Sequence, residues 1–306
     1  METITDLSEN LKRLLSAIII SAAFAVSPAN AIDRLDILNL RDTQVQEKLS
    51  EVSRMVVLIL PSNSSKEIGT GTAATFKDLG QFILTNAHVM KSSTQCAVMV
   101  LTPAGKPGFI WGVLIASDSA KDIAILKINR DEGKVMATLK MRGLSGPTQA
   151  FEQLNAVYEP GEEKQAMLSR KNAGFGKDLI ASEELITPGS QVYFLGFPLG
   201  IGASIEMKEP VVRSGLIATR PHSGFFYLDA MVNHGNSGSP VVLFNATADG
   251  NVERYGLFLI GIVSGFESDY VDYKADTGDS IRFPHNSGLA KVVSIQAFLD
   301  LAKSVH

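Results

Sequence analysis

Cysteine and tryptophan are almost missing from this sequence, with one residue of each among 306. The single Cys96 cannot form an internal disulfide, and it cannot supply the thiolate set of a Cys-rich zinc or iron–sulfur site. The 28 basic and 32 acidic residues nearly balance, so the chain has no general electrostatic attraction for polyanions. We therefore expect stability to come from packing, and we expect no cofactor and no nucleic-acid partner.

Apolar runs long enough to span a bilayer are also missing, because the run 14–26 (LLSAIIISAAFAV) is shorter than the about 20 residues that a membrane helix needs. Lys12 and Arg13 precede this run and small residues (SPANA) follow it, a pattern typical of a secretory signal peptide. We expect a signal peptide at 1–31, a secreted or periplasmic protein, and no stable membrane span after cleavage. An uncleaved anchor or a buried N-terminal helix is the alternative.

What the chain does have is a high apolar content, 45% against 20% charged residues, which is typical of a globular protein. After a polar helical approach at 32–53, short β-type runs separated by Gly, Pro and Asn fill 54–130 and again 186–306. No long helical pattern separates these runs, which favours an antiparallel barrel or sandwich over a parallel sheet. The stretch 131–185 has little β pattern, and we expect it to be a linker or insertion.

The last part of the chain has helical periodicity. We expect an amphipathic helix there, with Ser294 as its N-cap. Its apolar positions, spaced at i, i+3, i+4 and i+7, are Ile295, Phe298, Leu299 and Ala302.

Three residues that could carry nucleophilic catalysis follow one another in the order His, Asp, Ser. His88 ends a β-type run in TNAHV, Asp122 begins the run DIAILKI, and Ser237 lies in HGNSGSP. Gly235 and Gly238 flank the serine and permit the sharp backbone turn that a raised nucleophile needs. This is one of the known chain orders of a serine-nucleophile triad.

The chemistry explains why these residue types belong together. A serine hydroxyl is a weak nucleophile at neutral pH, so it needs a base such as imidazole. Asp122 would accept a hydrogen bond from Nδ1 of His88 and leave Nε2 free to take the proton of Ser237. The backbone N–H groups of Gly235 and Ser237 would then face the oxyanion. Asp118 is a rival for Asp122, but Asp122 directly adjoins the strand.

At these motifs the sequence resembles the trypsin-like serine peptidases, particularly their bacterial HtrA-like and glutamyl-endopeptidase branches. The resemblance covers roughly 55–301 apart from the central insertion, and it depends on IGTGTAATF, ILTNAHV, KDIAILKI, VYFLGFPLG, GNSGSP, LIGIVSG and NSGLAKVV. It implies an all-β fold of two antiparallel six-stranded barrels with the active site between them. It further implies a serine endopeptidase whose partners are protein or peptide substrates, without implying an oligomeric state.

The resemblance also implies which residues bind the substrate. The strand around LIGIVSG would pair with an extended peptide, and the side-chain pocket would be formed by Met231, Val232, Val263, Ser264, Gly265 and Phe266. These residues are mostly apolar, so an unpaired substrate charge would be costly there. We expect cleavage after small or medium apolar residues, with selectivity from distal contacts as the alternative.

Three departures from the family pattern limit what the resemblance implies. Asn236 stands where relatives activated by cleavage have an Asp, so a new N-terminal ammonium has no ion-pair partner. Val263 stands where the Glu-cleaving relatives have a His, and we expect no PDZ domain of the HtrA type after the last β-type run. Ser239 matches the glutamyl-endopeptidase form of the motif.

Other classes of protein fit the sequence less well. An α/β-hydrolase needs G-x-S-x-G and a triad His after its Ser, whereas Ser237 lies in GNSGS and the candidate His88 precedes it. His222 and His234 are separated by a β-type run, so we expect no metal site. The remaining competitor is a binding module that keeps the peptidase fold without catalysis.

Overall fold

The computed structural model describes residues 43–64, 66–76, 80–101, 107–129, 134, 137–138, 174–175, 179–200, 209–249, 252–274 and 280–305. The predicted signal peptide at 1–31 lies outside these residues, as does most of the predicted insertion at 131–185. Within the described part of the chain, no helix has both the length and the apolar character to cross a membrane. The second of two compact units, Lys48–His306, contains all the strands described below.

The first barrel is a closed antiparallel sheet of six strands in the order β1-β2-β3-β6-β5-β4. Helix α1 at 43–53 precedes it, and a short helix α2, Ala87–Met90, follows β3. The strands are β1 Val56–Pro61, β2 Gly69–Phe76, β3 Gly80–Thr85, β4 Gln95–Leu101, β5 Pro107–Asp118 and β6 Ile123–Asn129.

The second barrel is also a closed antiparallel sheet of six strands, in the order β10-β11-β12-β9-β8-β7. Its strands are β7 Gln191–Gly196, β8 Val211–Ile217, β9 Phe225–Asp229, β10 Pro240–Asp249, β11 Val252–Lys274 and β12 Ser280–Ser294. Helix α3, Ile295–Lys303, follows directly. The predicted fold class, two antiparallel six-stranded barrels and a C-terminal helix, is confirmed.

The apolar core follows from side chains that alternate between the two faces of a strand. On β1, Val57 and Ile59 point into the first barrel, whereas Val56 and Leu58 belong to a larger cluster outside it. That larger cluster joins the two barrels and α3, because it also contains Leu195, Val242, Ile262 and Phe298. The second barrel has its own interior cluster, which includes Val192, Phe194, Phe226 and Ile260.

Helix α3 is positioned as the sequence predicts. Ser294 is its N-cap, with a side chain that accepts a hydrogen bond from Gln296 N–H at 3.3 Å. Ile295 and Phe298 are buried and pack in the cluster that joins the barrels. The helix therefore closes the core rather than extending from it.

The structure differs from the predicted runs in three places. The β-type run predicted to end at His88 is a strand only to Thr85, after which Asn86 begins the helical turn of α2. Phe175, within the predicted insertion, is fully buried and pairs with β2 through hydrogen bonds to Ala73 and Thr75. Strand β11 continues to Lys274, well beyond the LIGIVSG motif that predicted it, because β12 pairs with it along that length.

Candidate active site

His88 lies at the rim of the first barrel because β3 ends directly before it. Asn86 takes an extended conformation as the N-cap of α2, and its side-chain amide donates to the backbone carbonyl of Asp122 at 2.9 Å. Asp122 lies in the turn before β6 with φ 55, a left-handed conformation that is uncommon outside glycine. This hydrogen bond joins the strained turn to α2. The side chains of His88 and Asp122 therefore lie next to each other.

The carboxylate of Asp122 holds the imidazole of His88 in a fixed orientation. It accepts hydrogen bonds from the backbone N–H of His88 at 3.0 Å and from Nδ1 of its ring at 2.8 Å. A third hydrogen bond comes from the hydroxyl of Ser264 at 2.5 Å. Burial alone would raise the pKa of Asp122, but the hydrogen bonds from His88 and Ser264 outweigh it and lower this pKa below its ordinary value.

The other carboxylate considered from the sequence has a different surrounding. Oδ1 of Asp118 accepts from the backbone N–H groups of Ala120 and Lys121, at 2.9 and 3.2 Å. These are the contacts of a side chain that caps a turn. The structure therefore brings Asp122, and not Asp118, to the imidazole.

Ser237 comes from the second barrel and meets the imidazole from the opposite side. Its Oγ lies 2.9 Å from Nε2 of His88 and 3.0 Å from the backbone carbonyl of Ser264. Gly235 and Gly238 both have φ +93, and a Cβ on Gly238 would overlap the carbonyl of Thr70. The glycines are required here by backbone conformation and by the close approach of β2.

Two backbone N–H groups remain available beside the nucleophile. The carbonyl of His234 accepts from Leu199 N–H at 2.6 Å, so the peptide plane directs the N–H of Gly235 to the opposite side. No described residue accepts a hydrogen bond from the N–H of Gly235 or of Ser237. Both donors therefore suit an oxyanion, which prefers preorganised N–H groups.

The first barrel holds the loop of the nucleophile through Thr70 on β2. The backbone N–H of Thr70 donates to the carbonyl of Ser237 at 2.7 Å, and its hydroxyl donates to the carbonyl of Gly235 at 2.6 Å. The same hydroxyl accepts from Phe197 N–H at 3.1 Å, and the carbonyl of Thr70 accepts from the Thr85 hydroxyl at 2.8 Å. Thr70 is fully buried, so each of these groups depends on its partner.

Three further hydrogen bonds stabilise the loop. The hydroxyl of Thr72 donates to the carbonyl of Gly238 at 3.0 Å. Oδ1 of the buried Asn236 accepts from the backbone N–H of Asn233 at 3.0 Å, and Arg213 donates to the side chain of Asn233 at 2.9 Å. The neutral Asn236 thus completes a turn within the loop and needs no ammonium partner for it.

The residues predicted to bind a substrate side chain differ in accessibility. Val232 and Val263 are fully buried in the core of the second barrel, so their side chains do not face solvent. Met231 is 47% exposed, and the half-buried ring of Phe266 lies edge-on to His234 with centroids 6.3 Å apart. Of these four, Met231 and Phe266 have accessible apolar surface.

Sequence reasoning did not identify Thr70, Thr72 and the hydroxyl of Ser264 as parts of the site. The repeated Gly-Thr of GTGT was a possible signal, because small polar residues in a buried strand need partners. Which partners they have depends on how the barrels pack. Among the described residues, no group of three or more His, Cys, Asp or Glu side chains could hold a metal ion.

The two closed barrels and the site between them define a trypsin-like domain. The family model described as the trypsin-like peptidase domain matches residues 69–252, more than half of the chain, and the chain belongs to this family.

Two curated proteases are each similar to part of the chain. The magnetosome formation protease MamE of Magnetospirillum gryphiswaldense is 27% identical over 189 residues, 62% of this chain and 19% of that protein. Its counterpart in Paramagnetospirillum magneticum is 26% identical over 62% of this chain and 20% of that protein. The matched region thus spans about a fifth of these relatives. A serine endoprotease from Yersinia pestis matches with a TM-score of 0.49 and 19% identity, over 85% of this chain and 65% of that one.

Proposed function

We propose that the chain is an exported serine endopeptidase that cleaves protein substrates through Ser237, His88 and Asp122. The observation that carries the proposal is the 2.9 Å contact between Oγ of Ser237 and Nε2 of His88. A base at this distance can take the hydroxyl proton as the nucleophile attacks. No bound metal or cofactor enters this mechanism.

In the acylation step, Oγ of Ser237 attacks the carbonyl carbon of the scissile peptide bond and its proton moves to Nε2 of His88. Asp122 stabilises the imidazolium through Nδ1 without taking the proton itself. The carbonyl oxygen becomes an oxyanion that accepts from the N–H groups of Gly235 and Ser237. The C–N bond then breaks as His88 gives its proton to the leaving amine.

In the deacylation step, a water molecule replaces the amine. His88 takes a proton from this water, and the resulting hydroxide attacks the ester carbon of the acyl-enzyme. The ester bond breaks, the proton returns to Oγ of Ser237, and the carboxylic acid product leaves. The same N–H pair stabilises the oxyanion in both steps.

The surroundings of Ser237 support a preference for apolar residues on the acyl side of the scissile bond. Met231 and Phe266 supply accessible apolar surface, and Ser264 and Gly265 supply main-chain groups. A charged substrate side chain would lose hydration there without a matched partner. Profiling with a proteome-derived peptide library tests this preference, and a dominant Arg, Lys or Glu before the cleaved bond would contradict it.

Export is the second part of the proposal, and the sequence pattern at 1–31 supports it. Cleavage after Ala31 would give a mature N-terminus at Ile32. N-terminal sequencing of the extracytoplasmic protein tests this. An intact Met1 form found only in the cytoplasm would contradict export and leave the proposed chemistry untouched.

Labelling with an active-site fluorophosphonate tests the proposed chemistry. We expect wild type to be labelled and to cleave casein, and we expect Ser237→Ala to do neither. Ser239→Ala is the matched control, because Ser239 is buried two positions away and its hydroxyl has no partner among the described residues. A wild-type protein that folds but takes no label would indicate a binding module instead.

A further inference from the structure

Trp111 on β5 is the single tryptophan of the sequence, and its side chain is 2% exposed. It lies opposite Ala97 of β4 and Asn129 of β6, in the apolar cluster that joins the barrels. Its indole N–H has no hydrogen-bond partner among the described residues. Buried polar groups are nearly always paired, because an N–H that loses water without gaining an acceptor is costly. The described chain therefore supplies no acceptor for a donor that needs one.

A cavity with a volume of about 300 Å³ lies against Trp111. Its described lining residues come from the end of β1, from β4 and β5, and from helical positions after β6. They are Ser62, Gln95, Trp111, Lys134, Ala137 and Thr138. This volume is at the lower end of small-molecule sites, so the cavity suits a small ligand or the end of a chain rather than a folded partner.

Hydrogen bonds hold the wall that β1 and β4 contribute to the cavity. The backbone N–H of Ser62 donates to the carbonyl of Gln95 at 3.1 Å. The hydroxyl of Ser93 donates to the same carbonyl at 2.6 Å and lies 3.0 Å from the hydroxyl of Ser62. This wall is therefore formed before a ligand binds, which lowers the cost of ordering it on binding.

A second wall comes from one side of a helical segment. Lys134, Ala137 and Thr138 are helical, and their i, i+3, i+4 spacing places them on one face. Thr138 is buried like Trp111, whereas Lys134 and Ala137 are exposed. The cavity therefore has a buried inner part beside Trp111 and opens to solvent beside Lys134.

Lys134 is the one charged residue among the six described residues that line the cavity. Its Nζ lies 6.0 Å from the centroid of the Trp111 ring, at the outer limit of a cation–π contact. An ammonium carries three N–H donors, so it can bind an anion alongside another partner. The charge at this site therefore favours a ligand with a negative group and disfavours a cation.

The other lining groups narrow the chemistry of that ligand. The ring of Trp111 offers apolar surface, and its N–H requires an acceptor. Ser62, Gln95 and Thr138 add neutral polar groups. A single ammonium among neutral groups matches the one charge of a carboxylate, whereas the larger charge of a phosphate usually requires several cationic or backbone donors.

We propose that this cavity binds a carboxylate that is attached to an apolar group. The carboxylate accepts from Nζ of Lys134 and from the indole N–H of Trp111, and the apolar group packs on the indole ring. Such a ligand is a small organic acid or the C-terminal residue of a peptide. The cavity contains none of His88, Asp122 and Ser237, so this inference does not depend on the proposed function.

Fluorescence of the full chain tests the proposal directly, because Trp111 is its only indole. The probes are N-acetyl-leucine and its uncharged analogue N-acetyl-leucinamide. We expect a saturable change in emission with the acid and at least about tenfold weaker binding of the amide, since the amide lacks the charged acceptor. Acetyl-Ala-Ala-Leu with a free C-terminus then distinguishes the two sources of the ligand. Binding at least as tight as that of the free acid indicates a chain end, and weaker binding indicates a small acid.

Lys134→Gln tests the charged contact. We expect it to weaken binding of N-acetyl-leucine about tenfold or more and to leave cleavage of casein unchanged. Lys127→Gln is the matched control, because Lys127 is also an exposed lysine of the first barrel region but does not line the cavity. It should bind the acid as wild type does.

Trp111→Phe tests the indole N–H and keeps an aromatic ring. Calorimetry replaces fluorescence for this variant, and we expect binding to weaken about threefold or more. If this variant does not fold, the comparison of Lys134→Gln with Lys127→Gln still decides the question. Ser237→Ala should bind the acid as wild type does, because the nucleophile is outside the cavity.

Three results would overturn the proposal. One is no saturable change with either acid, which would leave the cavity as a space for water alone. Another is equal binding of N-acetyl-leucine by wild type and Lys134→Gln. The third is loss of that binding in Ser237→Ala, which would place the bound acid at the nucleophile. A protein that binds the acid but takes no fluorophosphonate would instead contradict the proposed function and leave this inference standing.

Discussion

The first barrel stops at its rim, whereas β11 and β12 of the second barrel continue past its rim as a two-stranded ribbon, Ser268–Lys274 paired with Ser280–Asn286. His88 and Asp122 come from two short segments that connect strands of the first barrel, namely α2 and the turn before β6. Ser237 comes from a loop of the second barrel, whose strand β11 then extends to Lys274. The first barrel thus supplies the proposed base, and the second supplies the proposed nucleophile.

This difference shows that neither barrel holds the proposed site alone. The distance from His88 to Ser237 depends on the apolar cluster between the barrels and on the Thr70 contacts to Gly235 and Ser237. Strand-end residues within one barrel are positioned locally. Residues that face each other across the two barrels are positioned only when both barrels have formed and packed.

The largest expected effect comes from removing the side chain of Ser237 or of His88, which belong to different barrels. Ser237→Ala and His88→Ala should each lower kcat by about 10⁶, and the double variant should be no worse, because the two residues act as a unit. Single-turnover assays on a protein substrate measure this. If the double variant instead lost kcat by the product of the two single factors, the two barrels would contribute independently to catalysis.

A smaller loss is expected within the first barrel. Asp122→Asn should lower kcat by about 10⁴, because the amide favours the wrong tautomer of His88. Its measurement is kcat from pH 5 to 9 for the variant and the wild type. An Asp122→Asn variant with wild-type kcat would contradict the assignment of Asp122 as the partner of His88. Asp118 would then be the next carboxylate to test.

The pH dependence of stability gives a second measurement on this pair. Since the pKa of Asp122 is lowered in the folded chain, its carboxylate stabilises the fold above the ordinary pKa and loses this effect as pH falls through the lowered folded value. The difference in unfolding free energy between wild type and Asp122→Asn should therefore be complete above about pH 4 and shrink below it. A difference that grows on acidification would contradict this sign.

The contact between the barrels should respond less strongly. Thr70→Val removes one hydroxyl and leaves the carbonyl of Gly235 and the N–H of Phe197 buried without partners, at a cost of about 1–3 kcal/mol for each group. We expect a lower free energy of unfolding in urea and a kcat reduced about tenfold to a hundredfold as the loop loses its position.

The same strand offers a matched control for Thr70→Val. The hydroxyl of Thr75 has no partner among the described residues, so Thr75→Val removes no described hydrogen bond. We expect it to keep both the wild-type stability and kcat. If both variants behaved alike, the Thr70 hydroxyl would have no special part in positioning the loop.

Only a small effect on stability is expected from removal of the ribbon. Joining Ser268 to Asn286 through Asn-Gly deletes 269–285 and supplies a favourable hairpin turn. Because the described side chains of this segment are mostly exposed, the unfolding free energy should stay within about 1 kcal/mol of wild type. A loss above about 3 kcal/mol would show that the ribbon stabilises the barrels.

The sequence by itself determined the features that depend on neighbouring residues. Short β-type runs separated by Gly, Pro and Asn indicated the strands, and the i, i+3, i+4 spacing after Ser294 indicated α3. The Gly residues around Ser237 indicated a sharp turn, and their φ of +93 agrees. The chain order of His88, Asp122 and Ser237 also narrowed the choice of catalytic candidates, because few chain orders are known for such a triad.

Only the tertiary structure decided the features that depend on residues distant in the chain. The partners of Thr70 lie 165 positions away at Gly235, and the burial of Phe175 depends on its pairing with β2. The segment ESDYVDYK is too polar to indicate a strand, and it is one because β12 supplies its hydrogen bonds. The local residue pattern indicates which face of a strand is apolar. Which residues that face packs against depends on how the barrels close and pack together.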